Sequence, residues 1–127
     1  FLATTRILGI SVDVPADRLA PRVGALARAG AQLLNLDWEP APAQVLVNDR
    51  YCGAGYAVVT EQEREAIRLL ARLEGILVDP VYTGRALAGL IDLVQGGEFR
   101  TGQRVLFWHT GGTAALSAFA GDLLPAT

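Results

Sequence analysis

The segment from Glu74 to Arg85 constrains the fold of this chain more than any other, because it predicts a helix end, a buried strand, a tight turn and a second helix. The apolar run Ile76-Leu77-Val78 is typical of a strand covered on both faces of a parallel sheet, and Pro80 ends it because proline has no N–H for the ladder. Polar side chains follow, from Tyr82 to Arg85. Ligands of open α/β sheets bind beyond the carboxyl ends of strands, so this segment predicts a functional site.

The same alternation of strand and helix extends along the chain. A helix is predicted from Asp17, as N-cap, with an apolar face of regular spacing and with Pro21 in its first turn. The second helix begins at Thr60, which forms a capping box with Glu63. The third ends at Gly96-Gly97. A fourth helix is predicted over 114–119, and the other three strands are Ile7 to Val12, Val45 to Val47 and Val105 to Trp108.

Four strands alternating with four helices predict an α/β fold. We expect one unit over residues 1–127, with an open parallel sheet between helices on both faces, in three layers. The carboxyl ends of three strands, at Asn48, Asp79 and Trp108, are expected to meet around one crevice. The loops that follow these ends are Tyr51 to Tyr56, Tyr82 to Arg85 and His109 to Thr113.

Composition limits the kinds of partner. The net charge is −2, which offers no basic patch for nucleic acid, and the apolar runs are too short to span a bilayer, so we expect a small-molecule partner. The single cysteine, Cys52, cannot form an internal disulfide, which favours a reducing cytoplasm. All eleven basic residues are arginine. The chain opens on Phe1 without methionine, so we expect either a removed leader or the later part of a longer polypeptide.

Each of the three loops has an ordinary structural interpretation. The glycines and tyrosines from Tyr51 to Tyr56 taken alone favour a turn with packed rings. The Gly-Gly pair that opens the last predicted helix suggests a pocket of free N–H groups, although that signal is weak. His109 has no second histidine and no cysteine or carboxylate at ligand spacing, so we expect no metal site and a hydrogen-bonded structural histidine.

Three motifs in order resemble those of the D-cysteine desulfhydrase and 1-aminocyclopropane-1-carboxylate deaminase family. They are Tyr51-Cys52-Gly53-Ala54-Gly55-Tyr56, the segment from Leu70 to Arg85, and Phe107-Trp108-His109-Thr110-Gly111-Gly112. The resemblance implies a pyridoxal-phosphate enzyme of the tryptophan-synthase β-subunit fold. It is close from about Arg50 to Phe119, and from Leu8 to Val47 it extends only to the general pattern.

The resemblance also implies what these residues do. Such enzymes hold pyridoxal phosphate on a lysine and by a Gly-rich loop in their earlier half, and this chain has no lysine. It therefore resembles only the C-terminal portion of a cytoplasmic enzyme, homodimeric when complete, that acts on a small amino acid. Tyr56 and Tyr82 match the family's catalytic tyrosines. The family's cofactor-binding residues are matched by Thr83, Thr110, Gly111 and Gly112.

Thr83 and Thr110 match the positions that separate the branches of the family. The deaminase branch has glutamate and leucine there, whereas the desulfhydrase branch has threonine at both. A carboxylate keeps the pyridine nitrogen protonated and the ring a strong electron sink, while a hydroxyl only donates a hydrogen bond. The pair favours β-elimination, in which D-cysteine gives pyruvate, ammonia and hydrogen sulfide.

Alternatives stay open at this point. The chain could instead be the corresponding part of a 1-aminocyclopropane-1-carboxylate deaminase or an L-cysteate sulfo-lyase, or a non-catalytic α/β binding module. Because it has no lysine, we expect the chain alone to be inactive. Three departures from the family pattern concern substrate choice rather than the catalytic groups. They are Ala57 in place of glycine, Arg85 in place of lysine, and Thr113-Ala114-Ala115 where proline follows the Gly-Gly.

Overall fold

A computed structural model describes residues 5–124 of the chain. The chain divides into two compact units, Phe1–Cys52 and Gly53–Thr127. Both contain a helix, and the first contains a parallel sheet, so the α/β class is confirmed. The single unit over residues 1–127 stays a prediction.

The first unit is a strand–helix–strand crossover. Strand β1, Leu8–Ile10, pairs in parallel with β2, Leu46–Asn48, so that Leu8 lies opposite Leu46. Helix α1, Ala16–Leu33, connects them and contacts β2, and a short 3₁₀ helix, Pro42–Gln44, precedes β2. A parallel pair needs such a crossover, so the first helix and both strands of this unit are confirmed.

The predicted start of α1 is wrong in two respects. The N-cap is Pro15, and Asp17 lies in the first turn. Pro21 consequently lies beyond the first turn, inside the helix. The carboxylate of Asp49, just past β2, accepts a hydrogen bond from the Ala16 N–H at 2.7 Å. A capping group supplied from so far along the chain leaves no local signal.

The second unit is built on a pair of packed helices. Helix α2 is Glu61–Glu74 and helix α3 is Thr83–Gln95, and the apolar core between them contains Ala66, Ile67, Val78 and Leu87. The capping box predicted at Thr60 is present, and Gly75 ends α2 in the left-handed conformation at φ 67°. These two helices are therefore confirmed, with the start of α2 at Thr60 and the end of α3 at Gly96 as predicted.

Gly84 lets α3 begin close to α2. A Cβ at this position would lie 2.5 Å from the Asp79 carbonyl oxygen and 2.9 Å from Ile67 Cδ1. No side chain fits at those distances without displacing the backbone. Glycine is thus required where the turn from Asp79 to Tyr82 enters the helix.

Two of the four predicted strands are absent from the part of the chain that the structure describes. Ile76 to Val78 and Val105 to Trp108 have irregular backbone, and the sheet of residues 5–124 contains β1 and β2 alone. A continuous apolar run signals a covered strand, but a strand also needs a ladder partner. Neither run has one among these residues, and Leu106 is 83% exposed.

The last predicted helix also differs. Residues Thr113–Phe119 form a 3₁₀ helix, followed by a short α-helix, α4, at Ala120–Leu123. The Arg68 side chain of α2 donates to the Leu123 carbonyl at 2.9 Å and joins α4 to the helix pair. None of the helices between residues 5 and 124 is long and apolar enough to cross a bilayer.

Candidate functional site

Two tyrosines from different loops meet in the second unit. The hydroxyl groups of Tyr56 and Tyr82 are hydrogen-bonded to each other. Their rings pack edge to face, with centroids 6.0 Å apart and an interplanar angle of 68°. Tyr56 is 54% exposed and Tyr82 is 47% exposed. The two residues predicted as catalytic therefore form one accessible phenol pair.

A buried carboxylate, that of Asp79, organises the turn that carries Tyr82. Its Oδ2 accepts hydrogen bonds from the N–H groups of Val81 and Tyr82, each at 2.8 Å. Its Oδ1 accepts from the Thr83 N–H at 2.8 Å. These are N–H groups at the start of α3, where the helix dipole also favours a negative charge. Asp79 thereby fixes the backbone of Tyr82 and Thr83.

The environment of Asp79 keeps this carboxyl ionised. Burial alone would raise its pKa, but hydrogen bonds from Thr83, and from the backbone of Tyr82 and Val81, more than offset that effect. The net result is a pKa below the ordinary value of 3.8. Asp79 is therefore a hydrogen-bond acceptor at neutral pH.

The hydroxyl of Thr83 is engaged inside the protein. Its oxygen accepts from the Asp79 N–H at 2.9 Å, and its proton is best placed on Asp79 Oδ1, at 2.6 Å. The Gly111 carbonyl is a more distant alternative at 3.4 Å. A hydroxyl has one proton to donate, so Thr83 in this arrangement offers none to a bound ring. Its predicted place beside the cofactor stays a prediction.

The loop from His109 to Gly112 packs against the same turn. Gly112 has φ 92°, and a Cβ there would lie 2.7 Å from Asp79 Cγ. Thr110 is exposed, and a Cβ at Gly111 would meet open space. The loop thus brings Thr110 and the glycine backbone next to the start of α3.

His109 is a structural residue, as expected. Its Nδ1 accepts from the Gly111 N–H at 3.1 Å, which places the proton on Nε2, 2.9 Å from the Leu77 carbonyl. The expected pocket of free N–H groups is therefore wrong at Gly111, because that N–H is already hydrogen-bonded. Residues 5–124 contain no group of three His, Cys, Asp or Glu side chains able to hold a metal ion.

A buried ion pair lies behind the tyrosines. Arg85 is fully buried, and its Nε donates to Glu63 Oε1 at 2.8 Å. Burial alone would raise the pKa of Glu63, but hydrogen bonds from Thr60 and Arg85 hold it below its ordinary value of 4.5. The sequence predicted Glu63 only as part of a capping box, and it placed Arg85 in the loop of the predicted site, as a departure from lysine, without indicating that the two side chains pair.

Parts of two of the three predicted loops come together. The segments from Tyr82 to Arg85 and from His109 to Gly112 meet at Asp79, and the third loop contributes Tyr56. Asp79 itself was interpreted only as the end of a strand. Asn48 and Tyr51 belong to the first unit, so their part in the site stays a prediction.

The chain is similar to known proteins over most of its length. The family model described as "Pyridoxal-phosphate dependent enzyme" matches residues 2–111. A 1-aminocyclopropane-1-carboxylate deaminase of Burkholderia vietnamiensis is 44% identical over 115 residues, which are 91% of this chain and 34% of that protein. A second 1-aminocyclopropane-1-carboxylate deaminase, from Burkholderia multivorans, is 43% identical to the chain, and the match again covers 91% of this chain and 34% of that protein. The chain thus spans about a third of the length of these relatives.

A solved structure agrees with these matches. The crystal structure of an ACC deaminase homologue superposes with a TM-score of 0.76 at 34% identity, and the match covers 91% of this chain and 34% of that one. The fold is therefore that of part of a tryptophan-synthase β-like enzyme, as the resemblance implied. With the family model matching most of its length, the chain belongs to the pyridoxal-phosphate dependent enzyme family.

Proposed function

We propose that this chain supplies the substrate-facing part of a pyridoxal-phosphate dependent lyase that eliminates a sulfur group from the β-carbon of D-cysteine. One observation carries the proposal. The Tyr56–Tyr82 phenol pair lies beside a turn that has threonine at position 83, the position that separates the branches of the family, and the one carboxylate of this turn, that of Asp79, is already hydrogen-bonded. The products would be pyruvate, ammonia and hydrogen sulfide.

The residues present fit one side of the cofactor. Thr110 is exposed beside Gly111, where an added Cβ would meet no atom within 4 Å, and its hydroxyl could hold the ring nitrogen. They do not provide the covalent attachment, because none of the 127 residues is a lysine. In this proposal the lysine comes from outside these residues, in a complete enzyme that is cytoplasmic and homodimeric.

Pyridoxal phosphate, when bound, supplies an electron sink for the negative charge that develops at the substrate Cα. The chain's own residues would handle the proton. In this proposal the phenol of Tyr82, whose backbone N–H is held by Asp79, exchanges the Cα proton, while Tyr56 orients that phenol through the hydroxyl hydrogen bond or holds the substrate carboxylate. Departure of hydrosulfide would then complete the elimination, and hydrolysis of the resulting unsaturated amino acid by water would give pyruvate and ammonia.

The absence of a free carboxylate favours elimination over ring opening. Asp79 is the nearest acid in this turn, and both of its oxygens accept hydrogen bonds. It therefore has little capacity left to keep a pyridine nitrogen protonated. Elimination of a good leaving group from a β-carbon needs a weaker sink than opening a cyclopropane.

A second candidate is 1-aminocyclopropane-1-carboxylate deamination. It is favoured by the relatives, which are named as deaminases and are 44% and 43% identical to the chain. Against it stands Thr83, where the deaminase branch of the family has glutamate. An L-cysteate sulfo-lyase would retain the threonine pair and differ in the leaving group, which would be sulfite, and in the configuration of the substrate at Cα.

The test uses the complete enzyme that carries this chain, supplied in turn with D-cysteine, L-cysteate and 1-aminocyclopropane-1-carboxylate. We expect pyruvate and sulfide from D-cysteine, with the highest kcat/KM of the three. Ring opening as the fastest reaction would establish the deaminase instead. Turnover of none of the three would contradict both proposals.

A further inference from the structure

We propose that the buried Arg85–Glu63 pair is a clamp that positions Tyr56 against Tyr82, and that Arg85 is a positioning residue of the site. The clamp is defined by the Arg85 guanidinium, the Glu63 carboxylate and the loop carbonyls that they hold. The inference rests on the proposed function where it takes Tyr56 to face the substrate. The clamp itself rests on geometry alone.

The guanidinium holds the Tyr56 loop on both sides of the tyrosine. Arg85 Nη1 donates to the Gly55 carbonyl at 3.1 Å, directly before Tyr56, and Nη2 donates to the Val58 carbonyl at 2.7 Å, shortly after it. These carbonyls belong to a loop without regular secondary structure. Two charge-assisted hydrogen bonds that flank Tyr56 and Ala57 restrict where the tyrosine side chain can lie.

The backbone around Tyr56 needs such restraint. Ala57 has φ 60°, a left-handed conformation that is unfavourable for a residue with a Cβ. Gly53, also at positive φ, lies against the guanidinium, and a Cβ there would be 3.2 Å from Nη2. The loop thus packs against Arg85 in a backbone conformation that is unfavourable without these contacts.

Glu63 anchors the clamp to α2. Its Oε1 accepts from Arg85 Nε, while its Oε2 accepts from the Thr60 N–H at 2.8 Å and from the Thr60 hydroxyl. Both oxygens are therefore engaged, one by the helix cap and one by the clamp. The position of the guanidinium is set by the start of α2, and the position of Tyr56 follows from the guanidinium.

A lysine at position 85 would not reproduce this geometry. Arginine presents five N–H donors in a planar fork, and here that fork reaches a carboxylate and two carbonyls in three directions. An ammonium keeps the charge but has one donor atom. Arg85→Lys should therefore loosen the loop without leaving Glu63 uncompensated.

The decisive experiment is a double-mutant cycle between Arg85→Met and Tyr56→Phe in the complete enzyme, with kcat expressed per bound cofactor. Arg85→Met should lower kcat by about 10²-fold, because a misplaced catalytic group can lose that much. In the Tyr56→Phe background the same change should lower kcat no more than about 2-fold, since Arg85 acts through the lost hydroxyl. Equal fold-losses in the two backgrounds would overturn the proposal.

Two further variants separate positioning from folding. Arg85→Lys should recover part of the lost kcat, and Glu63→Gln with Arg85→Met removes both buried charges together, so that neither is left unpaired. The double variant should show the same coupling to Tyr56→Phe. The matched control is Glu61→Gln with Arg64→Met, which removes an exposed ion pair from the same helix and should leave kcat unchanged.

A readout without substrate distinguishes the clamp from the proposed function. Amide hydrogen exchange over residues 53–59 should become faster in Arg85→Met and remain unchanged in the control. If Tyr56→Phe retains full activity while Arg85→Met speeds amide exchange in the loop, the assigned role of Tyr56 fails and the clamp stands. If exchange in the loop is unchanged, the clamp is refuted whatever the substrate.

Discussion

At the scale of the residue, the carboxylate of Asp79 has the largest structural effect in the site. It is 1% exposed and accepts four hydrogen bonds, from three backbone N–H groups and the Thr83 hydroxyl. Gly112 lies against it because no side chain would fit between them. Removing its charge should therefore affect both the start of α3 and the Thr110 loop.

Asp79→Asn should destabilise the chain by about 1–3 kcal/mol at pH 7, because the amide nitrogen would face backbone N–H donors that then lack an acceptor. Urea unfolding followed by circular dichroism measures this. Asp122→Asn, at an exposed carboxyl in α4, is the control and should change stability by less than about 0.5 kcal/mol. A similar loss in both variants would contradict the assigned role.

The same carboxylates predict the pH dependence of stability. The pKa values of Asp79 and Glu63 are lowered in the folded chain from 3.8 and 4.5, so the unfolded chain binds protons more readily. Their contribution is complete above about pH 5 and is lost as the pH falls through the lowered values. The urea concentration at the unfolding midpoint should decrease as the pH is lowered from about 5 to about 3. The decrease should be less steep in Asp79→Asn than in the parent chain.

The threonine pair belongs to the residue scale as well. In the complete enzyme, Thr83→Glu with Thr110→Leu should lower D-cysteine turnover by at least about 10²-fold, the loss typical of one matched catalytic interaction. The structure adds a cause, because a carboxylate at position 83 would lie beside that of Asp79. Thr83→Ser, which keeps the hydroxyl, is the control. Unchanged D-cysteine turnover in the double variant would refute the assignment.

At the scale of the element, the packing of α3 on α2 depends on Gly84. Gly84→Ala should destabilise the chain by about 1–3 kcal/mol, the usual cost of overpacking, because a Cβ would lie 2.5 Å from the Asp79 carbonyl oxygen. Gly30→Ala is the matched control, since Gly30 is also helical and a Cβ there meets nothing within 4 Å. It should be neutral or stabilising by up to about 1 kcal/mol. Thermal unfolding of both variants compares them directly.

At the scale of the whole molecule, the defining feature is the absence of lysine from a chain whose family uses pyridoxal phosphate. The isolated 127-residue chain should therefore show no absorbance of a cofactor bound to a lysine and no activity toward D-cysteine. Borohydride treatment with stoichiometric cofactor, followed by mass spectrometry, should find no side-chain adduct. An adduct within the chain, away from the N-terminal amine, would contradict this prediction.

Much of the second unit could be predicted because its signals are local. The capping box at Thr60, the left-handed Gly75 and the spacing of apolar residues in α3 each act within one or two turns of helix. The family motifs are also contiguous, so Tyr56, Tyr82 and Thr110 could be named without a structure. The start of α1 was missed because its capping carboxylate, Asp49, comes from beyond β2.

The sequence by itself determined the family, the helices α2 and α3 with the caps at Thr60 and Gly96, and the absence of lysine from these 127 residues, since each depends on residue identity or on neighbours along the chain. Only the tertiary structure decided that Arg85 reaches Glu63, Gly55 and Val58, and that the Thr83 proton is placed on Asp79. It also decided that the runs at Ile76 and Val105 form no ladder among the described residues. Hydrogen bonds between segments far apart in sequence depend on where the folded backbone places donor and acceptor. The spacing of residues along the chain does not predict those positions.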